Sequence, residues 1–244
     1  MMVEKKAGLS FEELYRGFSV PVTGIDCGEK CGPFNDYGVP VCCDIQLVVP
    51  SAYDLEWDYL QEKTDLWNLW QGSSEIGKEE LTREIQPGQV LLQCLGQTHC
   101  QREFRSLTCR AFPFFPYLDS AGNFKGLSYY REYRDQCWVI SNLSLVNDDY
   151  KKQFRWVFEK IFSLYPSDKE NYQGFSNHMR DQAADAGREI PLLDFAGRVH
   201  IINPGNEQIR EITYHELDCF GPFGIIKELV FPDEIQGQQQ IENN

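Results

Sequence analysis

The chain has 244 residues, of which 42% are hydrophobic and 25% charged, a composition that excludes a disordered or fibrous protein and fits one large or two small domains. Its 23 Lys and Arg against 37 Asp and Glu give a net charge of −14. Nucleic-acid and anionic-membrane binders normally carry the opposite sign, so we expect neither partner. Because no apolar run reaches the ~18 residues of a membrane span and no secretory signal is evident, the sequence predicts a cytoplasmic protein.

The first half of the chain alternates short predicted elements with irregular loops. Ser10 and Glu13 form a capping-box pattern at the start of a helix predicted over residues 10–18. A Gly-, Pro- and Cys-rich loop is predicted over residues 21–40 and a strand over 44–49. A helix with its N-cap at Ser51 follows over 51–70, and a polar connection over 72–88. A strand over 89–94 and a second Cys-rich loop over 94–117 come next.

The second half contains the strongest periodic pattern. Extended segments are predicted over residues 128–134 and 137–140, ahead of a domain boundary at 142–148. Apolar residues at helical spacing predict an amphipathic helix over 147–165, which Pro166 ends. A further helix is predicted over residues 167–183, and three short strands over 199–202, 211–214 and 225–231. The polar tail over 236–244 is expected to fray.

The cysteines carry the main functional signal, because eight of the nine precede the predicted boundary. In sequence order they form two sets of four, with Cys219 left over: Cys27, Cys31, Cys42 and Cys43, then Cys94, Cys100, Cys109 and Cys137. Four thiolates are what a tetrahedral zinc site or an iron–sulfur cluster requires. Thiolates select such soft metals over hard cations, and the Gly and Pro residues in both loops suit a chain that wraps around an ion.

Other interpretations of the cysteines carry less weight. Disulfides are disfavoured in a reducing compartment, and the concentration of thiols in Gly/Pro-rich loops argues against purely apolar core residues. His99 could replace a neighbouring cysteine as a ligand, although an exposed loop histidine is the simpler interpretation. The vicinal pair Cys42-Cys43 leaves two arrangements open. Either the backbone turns and both thiols face one site, or each thiol serves a different site.

These segments resemble the bacterial CxxxCC cysteine-cluster proteins, the YkgJ-like family described as zinc- or iron-chelating. The motif Cys27-Gly-Glu-Lys-Cys31 leads to the vicinal pair, and the later Cys109-Arg-Ala-Phe-Pro-Phe resembles the family's C-R-x-F-P-F. The resemblance covers residues 27–137. Ten residues separate Cys31 from Cys42 where the family usually has two, and Ser106 stands where the family has proline.

The resemblance implies a metal-binding protein that holds an iron–sulfur cluster or Zn²⁺, with the eight cysteines before the boundary as candidate ligands. Arg105 and Arg110 flank Cys109, and we expect their positive charge to offset the net −2 of a four-thiolate centre. Two alternatives remain. A related cysteine pattern occurs in flagellin lysine N-methylases, which suggests an iron–sulfur enzyme for redox or group transfer. The other is an interaction module stapled by zinc, with a protein partner.

Together, the elements and the cysteines predict an α+β fold. A small cysteine-rich, metal-centred domain with helices is expected over residues 20–145. A helical and short-strand C-terminal part is expected over residues 146–244. Because one metal centre would tie together loops that are distant in sequence, we expect folding to be coupled to metal binding.

Overall fold

The computed structural model describes residues 10–72 and 85–223 and confirms the predicted α+β class. Its helices are α1 Phe11–Gly17, α2 Cys27–Cys31, α3 Asp54–Lys63, α4 Leu107–Ala111, α5 Asp148–Leu164 and α6 Pro166–Asp185. Its strands are β1 Ser51–Tyr53, β2 Trp67–Leu69, β3 Gln89–Cys94, β4 Phe114–Leu118, β5 Phe124–Tyr129, β6 Ile190–Leu193, β7 Val199–Ile202 and β8 Ile209–Ile212. Short 3₁₀ turns connect many of them.

The strands form two antiparallel sheets. The smaller has the order β1-β3-β2, with Ser51 opposite Leu91 and Trp67 opposite Cys94. The larger has the order β4-β5-β6-β7-β8, and α6 packs against its edge strand β4. Because β4 and β5 precede the predicted boundary at 142–148 and β6 to β8 follow it, one sheet joins the two halves of the chain.

Several predicted elements follow from local sequence and are confirmed. Ser10 caps α1 through the predicted capping box with Glu13. The helix predicted over 147–165 is α5, whose periodic apolar residues are buried, and the helix predicted over 167–183 is α6, with Pro166 in its first turn. The strands predicted over 89–94 and 199–202 are β3 and β7.

Other local predictions are wrong because tertiary pairing overrides local pattern. Residues 44–49 form turns rather than a strand. Ser51 does not cap a helix; it begins β1, whose backbone is fixed by the Thr108 hydroxyl, which donates to the Ser51 carbonyl at 2.6 Å. The helix that follows ends at Lys63, and residues 67–69 form a strand because they pair with β3.

The remaining differences concern short elements. The predicted loop over 94–117 contains α4 and the start of β4, and the extended segment over 128–134 ends at Tyr129 before a 3₁₀ turn. Residues 138–141 form another 3₁₀ turn rather than an extended segment. The strand predicted over 211–214 lies at Ile209–Ile212, and β6 was missed. The predictions over residues 225–231 and 236–244 lie outside the described residues.

The main hydrophobic core draws on both halves of the chain. Leu14, Phe18, Trp138, Tyr150 and Phe154 are all almost fully buried in one cluster. Helix α5 therefore packs its apolar face against α1 and the segments that carry the cysteines. Among the residues described, no helix is both long and apolar enough to span a bilayer.

The close approach of β5 and β6 depends on Gly126. A Cβ atom at this position would lie 2.3 Å from the carbonyl oxygen of Leu193. We expect Gly126→Ala to lower the free energy of unfolding by about 1–3 kcal/mol, because the backbone of β6 must move. Urea denaturation measures this, with Gly174→Ala as the control. A side chain at Gly174 would meet nothing within 4 Å, and alanine there should be neutral or stabilising because it favours helix.

Candidate metal centre

The eight candidate cysteines come from separate segments of the described chain. They lie in α2 (Cys27, Cys31), in the 3₁₀ turn Val41–Cys43 (Cys42, Cys43), at the end of β3 (Cys94), before and in α4 (Cys100, Cys109), and ahead of the 3₁₀ turn Trp138–Ser141 (Cys137). All nine cysteines, including Cys219, are free thiols. Cys219 lines neither cavity that borders the other cysteines; its Sγ lies 3.8 Å from the Ser141 carbonyl.

A first group consists of Cys27, Cys31 and Cys137. Asp26 caps α2 by accepting a hydrogen bond from the Gly28 amide at 3.0 Å. This short helix places Cys27 and Cys31 four residues apart on one face, toward the turn at residues 138–141. Burial, followed by the charge of the nearby Cys27, raises the pKa of the Cys31 thiol to about 11. Burial, followed by the proximity of Cys31 and Cys27, likewise raises the pKa of Cys137.

The vicinal pair faces one site rather than two. The 3₁₀ turn Val41–Cys43 rotates the backbone so that the Sγ atoms of Cys42 and Cys43 lie 4.0 Å apart. In a tetrahedral zinc site with Zn–S bonds of about 2.3 Å, two ligand sulfurs lie about 3.8 Å apart. The hydrogen bond between these thiols lowers the pKa of Cys43, and the same hydrogen bond together with burial raises that of Cys42. The pair therefore has the separation of one edge of a tetrahedral thiolate site.

A second group surrounds this pair. Burial is the main cause that raises the pKa of Cys94, and the charges of the nearby Cys43 and Cys100 also raise it. The pKa of Cys109 is raised to about 12, mainly by burial and then by the charges of Cys43, Cys100 and Cys94. The spatial grouping thus differs from the sequence order. Cys42, Cys43, Cys94, Cys100 and Cys109 form one group, and Cys137 joins the pair on α2.

Two adjoining cavities border the second group. A cavity of about 750 Å³ is lined by the thiol-bearing residues Cys27, Cys42, Cys43, Cys100 and Cys109. A smaller cavity of about 270 Å³ is lined by Cys94 and by four of the same cysteines, Cys42, Cys43, Cys100 and Cys109. Those four residues, which border both cavities, are therefore reached from two sides.

Arg105 is directed at the sulfurs. Its Nε donates to Sγ of Cys100 at 3.1 Å. Burial would lower the pKa of the Arg105 guanidinium, but the nearby thiols of Cys109, Cys100 and Cys42 hold it above its usual value. In return, Arg105 lowers the pKa values of Cys109 and Cys43 against the effect of burial on each thiol. Arg105 is therefore positioned to stabilise thiolate charge.

Arg110 lines the larger cavity but is engaged with the backbone. Its Nε donates to the Arg105 carbonyl at 2.9 Å, and its two terminal nitrogens donate to the carbonyls of Tyr15, Phe18 and Glu103. Its guanidinium also lies 4.2 Å from the ring centroid of Tyr15. These contacts tie α1 to the loop that carries Cys100 and to α4. Arg110 thus positions the cysteine segments.

Four residues that support the centre carry no signal that predicts this role from the sequence. Ser106 accepts from the Cys109 amide at 3.2 Å and caps α4, so the serine found at the family's proline position has a structural role. Glu56 is fully buried and accepts from the Leu107 amide at 2.7 Å. Asp26 and Arg102 form an ion pair at the cavity. Asp26 precedes Cys27 and Arg102 lies two residues after Cys100, but no local pattern in the sequence indicates that the two side chains pair.

The chemistry of the donors fits a thiophilic metal, because soft thiols are the dominant groups around both cavities. As placed, no three Cys, His, Asp or Glu side chains within residues 10–72 and 85–223 form a group that could hold a single ion. Ligation would require several sulfurs to turn inward. His99 is exposed on its 3₁₀ turn. Comparisons with family models, curated proteins and solved structures found no match, so the family resemblance rests on its motif residues.

Proposed function

We propose that the chain is a metal-binding protein whose cysteine thiolates coordinate an iron–sulfur cluster or Zn²⁺. The observation that carries the proposal is the convergence of eight free thiols from segments up to 110 residues apart, with the guanidinium of Arg105 donating to one of them. Unpaired thiols serving only as core residues would not require a half-buried cation among them. We further propose that the protein is cytoplasmic, since cysteines persist as thiols in a reducing compartment.

The primary ligands in this proposal come from the second group. Cys42, Cys43, Cys100 and Cys109 border both cavities, and Cys94 adjoins them. Four thiolates are sufficient for either centre. Cys27 lines the same cavity and links this set to the more buried Cys31 and Cys137, which complete the candidate ligands. The bound centre would supply either electron transfer or a structural cross-link, depending on the metal.

The protein residues around the centre have separate tasks. Arg105 offsets the negative charge of the thiolates, since four thiolates around Zn²⁺ leave a net charge of −2. Ser106 and Glu56 hold the N-terminus of α4, and with it Cys109. Arg110 holds the loop before α4 against α1. These contacts fix the backbone of α4 and of the loop before it, so that binding would require the cysteine side chains of these segments to turn toward the ion.

An enzymatic role is a second candidate, and one observation favours it. The cavity of about 750 Å³ reaches five cysteines, whereas a purely structural metal site is closed by its ligands. A volume of this size can admit a small molecule beside the centre. Redox or group-transfer chemistry at an iron–sulfur centre is the reaction class that fits.

Anaerobic purification, followed by quantification of iron, zinc and acid-labile sulfide and by an absorption spectrum, tests the proposal. We expect a stoichiometric metal in the native protein. Cys43→Ser should lose most of it, because this position adjoins both Cys42 and the thiols around it. Cys219→Ser is the matched control, because Cys219 lies outside both groups, and it should keep its metal.

The outcomes separate the candidates. Iron with sulfide and broad absorption near 400 nm would support an iron–sulfur centre, and a colourless zinc protein would support the zinc alternative. Absence of metal with all nine thiols free, or equal loss in Cys43→Ser and Cys219→Ser, would contradict the proposal. Chelation of the native protein, followed by circular dichroism, tests whether folding depends on the metal. An apo form that still melts cooperatively at the same temperature would contradict that dependence.

A further inference from the structure

A second cavity, away from the cysteines, contains a cluster of arginines. It has a volume of about 420 Å³ and lies between the end of β5, helix α6 and the start of β6. Arg131, Arg134 and Arg188 all line it, and no cysteine does. Three guanidiniums around one cavity are unexpected in a chain with a net charge of −14, because an acidic protein has ample carboxylates to pair with them.

Two of these arginines lack a carboxylate partner in the described part of the chain. The Nε of Arg131 is buried and has no hydrogen-bond partner there. No ion pair is formed there by Arg188, whereas Arg134 lies 3.6 Å from Asp135. Burial, followed by the charges of Arg131 and Arg134, holds the pKa of Arg188 below its usual value. The three cations therefore lie close enough to repel one another, a cost that a bound anion would relieve.

The ring of Phe220 packs against two of the arginines. The guanidiniums of Arg131 and Arg134 lie 5.2 and 5.8 Å from the ring centroid of Phe220. The amide of Phe220 donates to the Ser141 hydroxyl at 2.8 Å. Such cation–π contacts orient the guanidinium planes without using their N–H donors. Arg131 also lies against the Tyr129 hydroxyl, whose pKa it lowers against the effect of burial. The remaining N–H groups of the three arginines can donate to an oxyanion, which arginine recognises with paired hydrogen bonds.

The rest of the cavity wall is partly apolar and partly acidic. Phe175 and Met179 from α6, with Ile190 and Pro191 from β6, contribute apolar surface. Glu132 and Glu189 also line the cavity; Glu189 lies 3.8 Å from Arg210. An inorganic anion alone would leave the apolar wall uncovered. A ligand with an apolar body would cover it.

We propose that this cavity binds a small molecule that carries a doubly charged oxyanion, such as a phosphate monoester, on an aromatic or apolar body. The arginines bind the oxyanion, and the wall formed by Phe175, Met179 and Ile190 packs against the body. This site shares no lining residue with the cysteine cavities, so it stands independently of the metal proposal.

Phenyl phosphate is the probe, and the methyl group of Met179 is the reporter. The chain has three methionines, and Met179 is the one that lines the cavity, so methyl-labelled methionine gives an NMR signal with Met1 and Met2 as internal references. We expect a saturable shift of Met179 alone, with a Kd of about 1 mM or below. Inorganic phosphate should bind at least about fivefold more weakly, because it leaves the apolar wall uncovered.

Arg188→Gln should weaken phenyl phosphate binding by about tenfold, because it removes one charge-assisted contact. Arg155→Gln is the matched control, because this variant removes the same charge from the exposed side of α5, where Arg155 pairs with Glu159. Its affinity for phenyl phosphate should change less than twofold. Arg188 makes no side-chain ion pair in the described residues, so this variant should fold. No saturable shift, equal weakening in both variants, or equal affinity for inorganic phosphate would overturn the proposal.

Discussion

Replacing Arg110 with alanine is expected to lower the free energy of unfolding by about 4 kcal/mol. Four of its five N–H donors serve backbone carbonyls in two segments, the end of α1 and the loop before α4, and its planar group packs on Tyr15. Removing these donors leaves half-buried carbonyls without partners and separates α1 from the cysteine loop. Urea denaturation measures the change, and metal content should fall with it because the loop before Cys109 loses its support.

Two further variants make the Arg110 prediction specific. Arg110→Lys should recover less than half of the loss, because an ammonium cannot reach four carbonyls from one nitrogen. Arg16→Ala is the control, since Arg16 is an exposed arginine on α1 that forms an ion pair with the exposed Glu12, and it should change stability by less than about 0.5 kcal/mol. A near-native denaturation midpoint for Arg110→Ala would show that its carbonyl contacts contribute little.

Deprotonation of Glu56 is expected to lower the free energy of unfolding as pH rises from about 4.5 to 7. This fully buried carboxyl joins three helices, accepting from the Tyr15 hydroxyl at 2.7 Å, the Leu107 amide at 2.7 Å and the Tyr53 amide at 3.3 Å. Burial raises its pKa from 4.5 to about 7, despite these hydrogen bonds. The folded protein thus holds this proton more tightly than the unfolded chain does.

The sign of the effect follows from that difference. The stabilising contribution of protonated Glu56 is complete below its unfolded pKa of 4.5 and is lost as pH rises through its folded pKa of about 7. The separation of these values corresponds to about 3 kcal/mol. Asp168, whose pKa burial also raises, contributes in the same direction. The relevant measurement is therefore the difference between the native protein and Glu56→Gln.

Glu56→Gln should lack this pH-dependent loss, because the amide does not ionise. Its free energy of unfolding, measured with urea between pH 4.5 and 8, should rise relative to the native protein by about 3 kcal/mol over the range. Glu12→Gln is the control, since Glu12 is exposed on α1 and should leave the pH profile unchanged. Parallel profiles for the native protein and Glu56→Gln would contradict the raised pKa.

Sequence alone predicted the elements whose signal lies within a few residues. The apolar residues of α5 recur at helical spacing, and Pro166 marks the end of that helix, so its bounds followed from periodicity. Ser10 and Glu13 specify α1 in the same local way. The α+β class also followed, because it depends on the mixture of such patterns rather than on their arrangement.

Elements that depend on distant partners were not predictable in this way. Residues 67–69 lie within a helical pattern but pair with β3, and β6 is stabilised between β5 and β7. The spacing of apolar residues indicates which face of a segment is buried. A short strand, in contrast, is stabilised only by pairing with neighbouring strands. The candidate site shows the same division. The cysteines and the arginines beside Cys109 were evident from residue type and spacing, but their grouping was not.

The sequence by itself determined the chemistry of this protein: thiol-rich loops, an acidic surface, and the helices with strong local patterns. Tertiary structure alone decided that Cys137 joins the α2 pair, that Cys42 and Cys43 face one site, and that the N–H groups of Arg110 donate to backbone carbonyls. It also brought Arg131, Arg134 and Arg188 to one cavity. The physical reason is that residue type sets what a side chain can bind, whereas packing of a shared core sets which distant side chains meet.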